Sequence, residues 1–271
     1  MNTALTPWLP ECQARWEKRV RRACDLQSEH PAAGPILRFY EAILRFQAEV
    51  GRSSPTALRL DTALSKQIDL SPLVSSIPSL LAVAMRDGTD ALQSAAQRLR
   101  EEGEGRWRTL LETSLSGDVN ELDATEDFLS RACLQPAAEN LQTQCPAVSN
   151  YVRSVCPICS GLAQLSVLRP EGEGASRSLI CSFCLHEWPF VRVACPWCDE
   201  KDKEKLPRYS AEECDYVHVE ACDTCMRYLK AIDLSRNGLA IPLVDEAALA
   251  VLDVWATDRG YKKVIRNLVG F

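Results

Sequence analysis

The 271-residue sequence has few histidines, no excess of basic over acidic residues and no long apolar run. Three His leave little material for His-based metal catalysis or for a His-driven pH switch. Lys and Arg total 31 against 37 Asp and Glu, whereas nucleic-acid-binding proteins usually carry a basic surplus. The longest uncharged stretch, 70–85, has 16 residues and contains Pro72 and Pro78, while a membrane helix needs about 20 apolar residues. We therefore expect neither a nucleic-acid partner nor a membrane span.

Targeting and catalytic motifs are also missing. The first twenty residues lack the apolar core of a secretory signal and carry charged side chains at Glu11, Arg15, Glu17, Lys18 and Arg19. No P-loop, complete GxGxxG, HExxH or GxSxG motif occurs, so no enzyme activity is predicted. We expect a cytoplasmic protein, and in that reducing compartment clustered cysteines indicate metal ligands or redox chemistry rather than disulfides.

Thirteen cysteines are the unusual feature, and their positions divide the chain. Nine lie between Cys156 and Cys225, and four lie in the first 150 residues. The predicted class is α+β: an N-terminal all-α helical domain, two tandem rubredoxin-like (zinc-ribbon-like) four-cysteine metal modules and a C-terminal helix. The corresponding boundaries are 1–150, 151–193, 194–242 and 243–271.

The first 150 residues show helical periodicity. Apolar residues recur at helical spacing from Pro35 to Gly51, where glycine suggests a stop, and again after Thr89–Asp90, which suits an N-cap. Two further helices are expected around Trp107–Leu115 and after Thr125, and an opening helix contains Trp16. This pattern is typical of an antiparallel helical bundle.

The middle of the chain shows the patterns of short strands. Gln164–Arg169 and Ser178–Cys181 flank a Gly-rich turn, and Asp215–Glu220 and Tyr228–Asp233 alternate apolar with polar residues. Asp245–Trp255 is predicted to form one closing amphipathic helix that buries Leu249, Val251, Leu252 and Trp255.

Four CxxC pairs carry the chemistry, separated by 21, 10 and 23 residues. Each long gap fits one hairpin and the short gap fits a connection, so two closed sites are predicted. The first consists of Cys156, Cys159, Cys181 and Cys184, and the second of Cys195, Cys198, Cys222 and Cys225. Facing CxxC turns complete a tetrahedron of thiolates around zinc or iron, with no open position for a catalytic water.

Other interpretations of the cysteines stay open. A CxxC could serve dithiol redox catalysis, but none of the four begins a helix in a βαβ context. The CxxCxxC runs of bacterial iron–sulfur proteins are missing, and an interleaved pairing fits the nearly equal long gaps less well. Cys214, His218 and Cys222 could form a third site, although a half-buried Cys and a surface His are the simpler interpretation. Cys12, Cys24, Cys133 and Cys145 are interpreted as small apolar residues.

The layout resembles the FdhE-type formate dehydrogenase accessory proteins. The resemblance is most specific in Cys156-Pro-Ile-Cys159, Cys181-Ser-Phe-Cys184 with Glu187-Trp188, Cys195-Pro-Trp-Cys198, and Cys222-Asp-Thr-Cys225 with Tyr228-Leu-Lys. The tail 252–256 and Gly260-Tyr261 are also similar. The chain departs from the usual knuckle, which often has Gly after the second Cys, at Ser160 and Asp199.

The resemblance implies a cytoplasmic, non-catalytic maturation factor. Its partner would be the catalytic subunit of respiratory formate dehydrogenase, and its two rubredoxin-like sites would hold iron, with zinc also compatible with four thiolates. Two alternatives come from other classes: a zinc-ribbon nucleic-acid or transcription module, which the charge balance disfavours, and a protein that responds to oxidants through iron or exposed thiols.

Overall fold

Helices form the first part of the chain, as the periodicity predicts. The structure is a computed structural model that describes residues 10–53, 58–59, 62–116, 122–146, 148 and 151–270. Its N-terminal helices are α1 (Pro10–Glu29), α2 (Gly34–Ser53), α3 (Leu70–Asp87), α4 (Asp90–Glu102), α5 (Glu104–Ser116) and α6 (Ala124–Gln142). They pack around one apolar core, whose fully buried members include Trp16, Leu26, Leu37, Ile43, Leu73, Leu81 and Leu111.

Two helix starts follow from local capping chemistry. The Thr89 hydroxyl accepts a hydrogen bond from the Leu92 amide at the start of α4. At the start of α6, the Asp123 side chain accepts from the Glu126 amide while the Glu126 carboxylate accepts from the Asp123 amide, which is a capping box. These polar residues end the preceding connections and fix where each helix begins.

Helix α2 does not stop at Gly51, so that expectation was wrong. The helix continues to Ser53. The carbonyl of buried Gly51 accepts a hydrogen bond from the side-chain amide of Asn140 on α6 at 3.0 Å. This hydrogen bond connects the last turn of α2 to α6.

Helix α3 occupies the uncharged stretch that the sequence showed without predicting a helix. Asp69 caps it by accepting from the Ser71 amide at 2.9 Å, and Pro72 sits in the first turn, where no intrahelical N–H bond is lost. Pro78 lies inside the helix, whose apolar face is buried at Leu73, Ile77, Leu80 and Leu81.

No helix in the described part of the chain combines the length and apolar character that crossing a bilayer requires.

Seven strands form one sheet in the described second half of the chain. They are β1 (Ala163–Glu171), β2 (Gly174–Cys181), β3 (Glu187–Phe190), β4 (Arg208–Ser210), β5 (Val217–Cys222), β6 (Arg227–Asp233) and β7 (Lys262–Lys263). The order is β3-β2-β1-β6-β5-β4, with β7 beside β6. Strands β1–β3 belong to the first cysteine module and β4–β6 to the second. A parallel pairing of β1 with β6 joins the modules into a continuous sheet.

The closing segment is two helices rather than the single one predicted. Helices α7 (Pro242–Ala248) and α8 (Ala250–Asp258) meet at Leu249, whose φ of −100° and ψ of 46° are not helical. Leu249 and Leu252 are buried as expected, whereas Trp255 is only half-buried and Val251 is 67% exposed, so the predicted burial of Val251 was wrong.

A buried charge network fixes α7 and α8 to the sheet. The Lys230 ammonium group on β6 contacts Asp253 Oδ2 at 2.5 Å and Glu246 Oε1 at 3.1 Å, and Lys263 also contacts both carboxylates. The Tyr228 hydroxyl donates to Asp253 at 2.8 Å. Two ammonium groups therefore balance two carboxylates in a region with almost no solvent exposure.

The helical part packs directly on the first cysteine module. Gln135 on α6 donates to the Ser182 carbonyl at 2.9 Å, and Gln142 hydrogen-bonds His186 Nδ1 at the same distance. One apolar cluster contains the helical core together with Cys156, Cys181 and Cys184. The four domain boundaries proposed from the sequence stay a prediction.

Candidate metal centres

The first sulfur group lies where the start of β1, the end of β2 and the turn before β3 meet. Its Sγ–Sγ distances are 3.6 Å for Cys156–Cys184, 3.3 Å for Cys159–Cys181 and 3.5 Å for Cys159–Cys184. A metal bound tetrahedrally at about 2.3 Å separates its sulfurs by about 3.8 Å. The four cysteines therefore approximate the geometry of a closed tetrathiolate site.

The second sulfur group repeats this arrangement in the second module. Cys195 and Cys225 are 3.8 Å apart, and Cys198 and Cys222 are 3.6 Å apart. Within each group all four Sγ atoms lie within 4.8 Å of one another. The structure thus brings the eight predicted cysteines together in the two sets that the gap lengths indicate. The donor set fits zinc or iron, and the role of each cysteine as a ligand stays a prediction.

Each of the four CxxC turns ends in a residue with left-handed backbone. Ser160, Leu185, Asp199 and Met226 have φ between 54° and 61°, and each directly follows the second Cys of its pair. The amides of Ser160, Asp199 and Met226 donate to the carbonyl of the first Cys at 2.9 to 3.1 Å. From the sequence, a left-handed backbone was considered only at Ser160 and Asp199, where the usual knuckle glycine is missing. At Leu185 and Met226 the turn overrides the residue's own preference, and their position directly after the second Cys is the sequence signal that could have revealed it.

Backbone amides inside the turns approach the sulfurs. The amides of Ile158, Phe183 and Trp197 each lie 3.4 Å from the Sγ of the Cys two positions earlier. Such N–H groups favour thiolate over thiol because they place positive partial charge beside sulfur.

Gly161 has a role that the sequence interpretation missed. A Cβ at this position would lie 3.0 Å from Cys181 Sγ and 3.2 Å from Cys159 Sγ. Its carbonyl accepts from the Cys156 amide at 2.9 Å. Gly161 therefore lets the backbone pass against two of the sulfurs. In the second module the corresponding acceptor for the Cys195 amide is Glu200.

The two centres differ in exposure. Cys156, Cys181 and Cys184 are 0 to 1% exposed and belong to the core that the helices share. In the second centre Cys198 is exposed and Cys225 is half-buried, and the neighbouring Trp197 and Met226 are 44% and 41% exposed. Since Cys159 of the first centre is half-buried, the difference is one of degree, and the second centre is the more exposed of the two.

The remaining described cysteines lie outside both sulfur groups. Burial raises the pKa of Cys133 on α6 to about 12, and burial also raises the pKa of Cys24 and Cys145. Cys133 is fully buried, as expected for a small apolar residue, whereas Cys24 and Cys145 are half-buried. The side chain of Cys12 lies outside the described residues.

No third metal group forms around His218 among the described residues. Cys222 belongs to the second centre, and His218 Nε2 lies 3.7 Å from Asp233 Oδ2 instead. His218 is only 7% exposed, so its assignment to the surface was wrong. Burial lowers its pKa, which favours the neutral ring.

Together, the fold and its sulfur groups define an α+β protein with a helical N-terminal part and two ribbon-type four-cysteine centres. Two family models match it: "FdhE, central domain" over 155–192 and "FdhE, C-terminal domain" over 193–269. The two matches are consecutive and assign residues 155–269 to FdhE-type domains.

Relatives support this assignment along nearly the whole chain. A "Protein FdhE homolog" of Aquifex aeolicus is 27% identical over 96% of this chain and 96% of its own length. One from Pseudomonas aeruginosa is 28% identical over 93% of this chain and 88% of its own length. The crystal structure of the FdhE protein from Pseudomonas aeruginosa has a TM-score of 0.73 at 26% identity and covers 95% of this chain and 96% of that one.

Proposed function

We propose that the chain is a non-catalytic, cytoplasmic maturation protein that binds the catalytic subunit of respiratory formate dehydrogenase and is needed for assembly of active enzyme. The observation that carries the proposal is the pair of all-cysteine groups: in the described residues, no His, Asp or Glu extends either one. A closed tetrathiolate site contributes folding free energy and leaves no coordination position for substrate. Similarity to FdhE proteins along nearly the whole chain supports the choice of partner.

The same proposal assigns one metal ion to each centre. Four thiolates accept both zinc and iron, and the family resemblance favours iron. When bound, the ion would hold two CxxC turns together and stabilise the module around them. The cysteines supply the ligands, while the turn amides and Gly161 shape the space around the sulfurs.

The surface beside the second centre is the proposed contact for the partner. Trp197 and Met226 expose large apolar side chains there, and Arg227 lies 3.9 Å above the Trp197 ring. Trp and Arg are enriched among the residues that dominate binding energy, and Met adapts to varied apolar surfaces. The first centre is less exposed, because Cys156, Cys181 and Cys184 are buried in the core that the helices share.

Affinity pull-down with the formate dehydrogenase catalytic subunit tests the proposal. Trp197→Ala combined with Met226→Ala should weaken recovery of the subunit about tenfold or more, because central apolar anchors typically contribute over 1 kcal/mol each. Leu239→Ala removes an 83% exposed apolar side chain elsewhere and is the matched control. Absence of association with metal-loaded and metal-free protein alike would refute the proposed function.

Exposure of Cys198 favours a second candidate, a protein that responds to oxidants through the second centre. An accessible thiolate is more susceptible to oxidation than an enclosed one. Under this candidate, mild peroxide should release metal from the second centre before the first and should change partner binding. Unchanged partner binding after selective oxidation would reject it.

A further inference from the structure

A small cavity behind the second centre concentrates positive charge. It has a volume of about 240 Å³ and lies where the connection after β3 meets β2, β5 and β6. Five of its lining side chains are basic and one is acidic: Arg177, Arg192, Lys203, Arg208, Arg227 and Glu220. This excess stands out in a chain whose formal net charge is −6.

Glu220 balances only part of this charge. It pairs with Arg177 at 2.6 Å and with Arg208 at 2.9 Å, and it also accepts from the Ser166 hydroxyl. Among the described residues, Arg192, Lys203 and Arg227 have no carboxylate within 4.0 Å. The cavity therefore retains cations without an acidic partner.

Arg177 gives a second, independent indication of a missing partner. Its side chain is 3% exposed, and its terminal nitrogens donate to the carbonyls of Val191 and Ala194 and to Glu220. Its buried Nε–H has no acceptor among the described residues. An unpaired buried donor costs about 1–3 kcal/mol, so a polar occupant in this wall would be favoured.

We propose that this cavity binds a small oxyanion of the phosphate or sulfate type. Guanidinium groups match tetrahedral oxyanions through pairs of N–H donors, and the exposed Arg192 and Lys203 at the entrance would close over the ion. The volume falls below the roughly 300–1,000 Å³ of organic-ligand pockets, which favours the free ion over a larger phosphorylated molecule.

Calorimetric titration of the metal-loaded full chain with inorganic phosphate at low ionic strength tests this site. One ion should bind per chain, and Arg192→Gln combined with Lys203→Gln should weaken the affinity about tenfold or more. Lys66→Gln combined with Arg100→Gln makes the same charge change on exposed side chains of the helical part and should leave the affinity unchanged. A parallel titration with ribose 5-phosphate separates the free ion from an esterified phosphate, and tighter binding of the ester would overturn the assignment to a free ion.

Measuring the metal content distinguishes an oxyanion site from a group of basic side chains that only balance the thiolate charge of the second centre. If the basic side chains only balance the charge of the second centre, the Arg192/Lys203 double variant should lose one metal ion. Phosphate should then produce no saturable heat with any variant. That combined result overturns the proposal. Equal phosphate affinity in the double variant and its control would overturn it as well.

Discussion

Gly161→Ala tests whether the first centre depends on close approach of the backbone to sulfur. The added methyl would lie 3.0 Å from Cys181 Sγ and 3.2 Å from Cys159 Sγ, so the sulfurs or the turn must move by a few tenths of an ångström. Metal–sulfur distances tolerate changes of only about 0.2 Å. Cys181 is fully buried and Cys159 packs partly buried against the same core, so the displacement has little room to relax.

The expected effect is a loss of metal affinity confined to the first centre. Disturbing the immediate surroundings of a metal typically weakens its binding 10–100-fold, or about 1.4–2.8 kcal/mol. Competition with a chromophoric chelator should show one metal ion released earlier than in the wild type and one released unchanged. The second centre serves as an internal reference because Glu200, at the corresponding position, already has a Cβ.

Gly105→Ala is the matched control, since a Cβ there meets nothing within 4 Å. It should leave both metal affinities unchanged and slightly stabilise α5. Equal chelator profiles for Gly161→Ala and Gly105→Ala would refute the steric account of Gly161. Loss of both metals from Gly161→Ala would refute the independence of the two centres.

Three further predictions concern stability. Lys230→Met should lower the free energy of unfolding by about 3–5 kcal/mol in urea titrations, because two buried carboxylates lose a charge partner; a loss below 1 kcal/mol would contradict the described network. Burial raises the pKa of Glu246, but the ammonium groups of Lys230 and Lys263 outweigh burial and lower that pKa to about 2. The contribution of ionised Glu246 to the free energy of unfolding should therefore be complete above pH 4.5 and decline toward pH 2. Glu246→Gln should flatten that decline, and a decline as steep as in wild type would exclude Glu246 as its source. Asp199→Gly should raise the melting temperature by about 2–4 °C by relieving a φ of 60°, and a lower melting temperature would show that the turn is not strained there.

Local chemistry explains what could be predicted from the sequence. The start of α4 follows from Thr89, whose hydroxyl acts on an amide three residues away, whereas α6 is capped by Asp123 and begins just before the predicted start after Thr125. The two sulfur groups follow from CxxC spacing and from gaps that each accommodate one hairpin. Such short-range rules need no knowledge of the rest of the fold.

The features that were missed depend on distant contacts. Parallel pairing of β1 with β6 joins residues about 65 positions apart, such as Leu165 and Lys230, and merges two modules that the spacing alone presents as separate. The cationic cavity draws Arg177, Lys203 and Arg227 from three separate segments, so a count of charges along the chain cannot reveal it. The closing helix breaks at Leu249 although its apolar periodicity continues through that position.

The metal content of anaerobically purified protein tests the central claim most directly. Elemental analysis with an absorption spectrum should give two ions per chain, one ion in Cys156→Ser and one in Cys198→Ser. Iron in thiolate sites would give a coloured oxidised protein, whereas zinc would leave it colourless. Retention of two ions by both variants, or absence of metal from the wild type after metal-supplemented expression, would contradict the assignment of two four-cysteine centres.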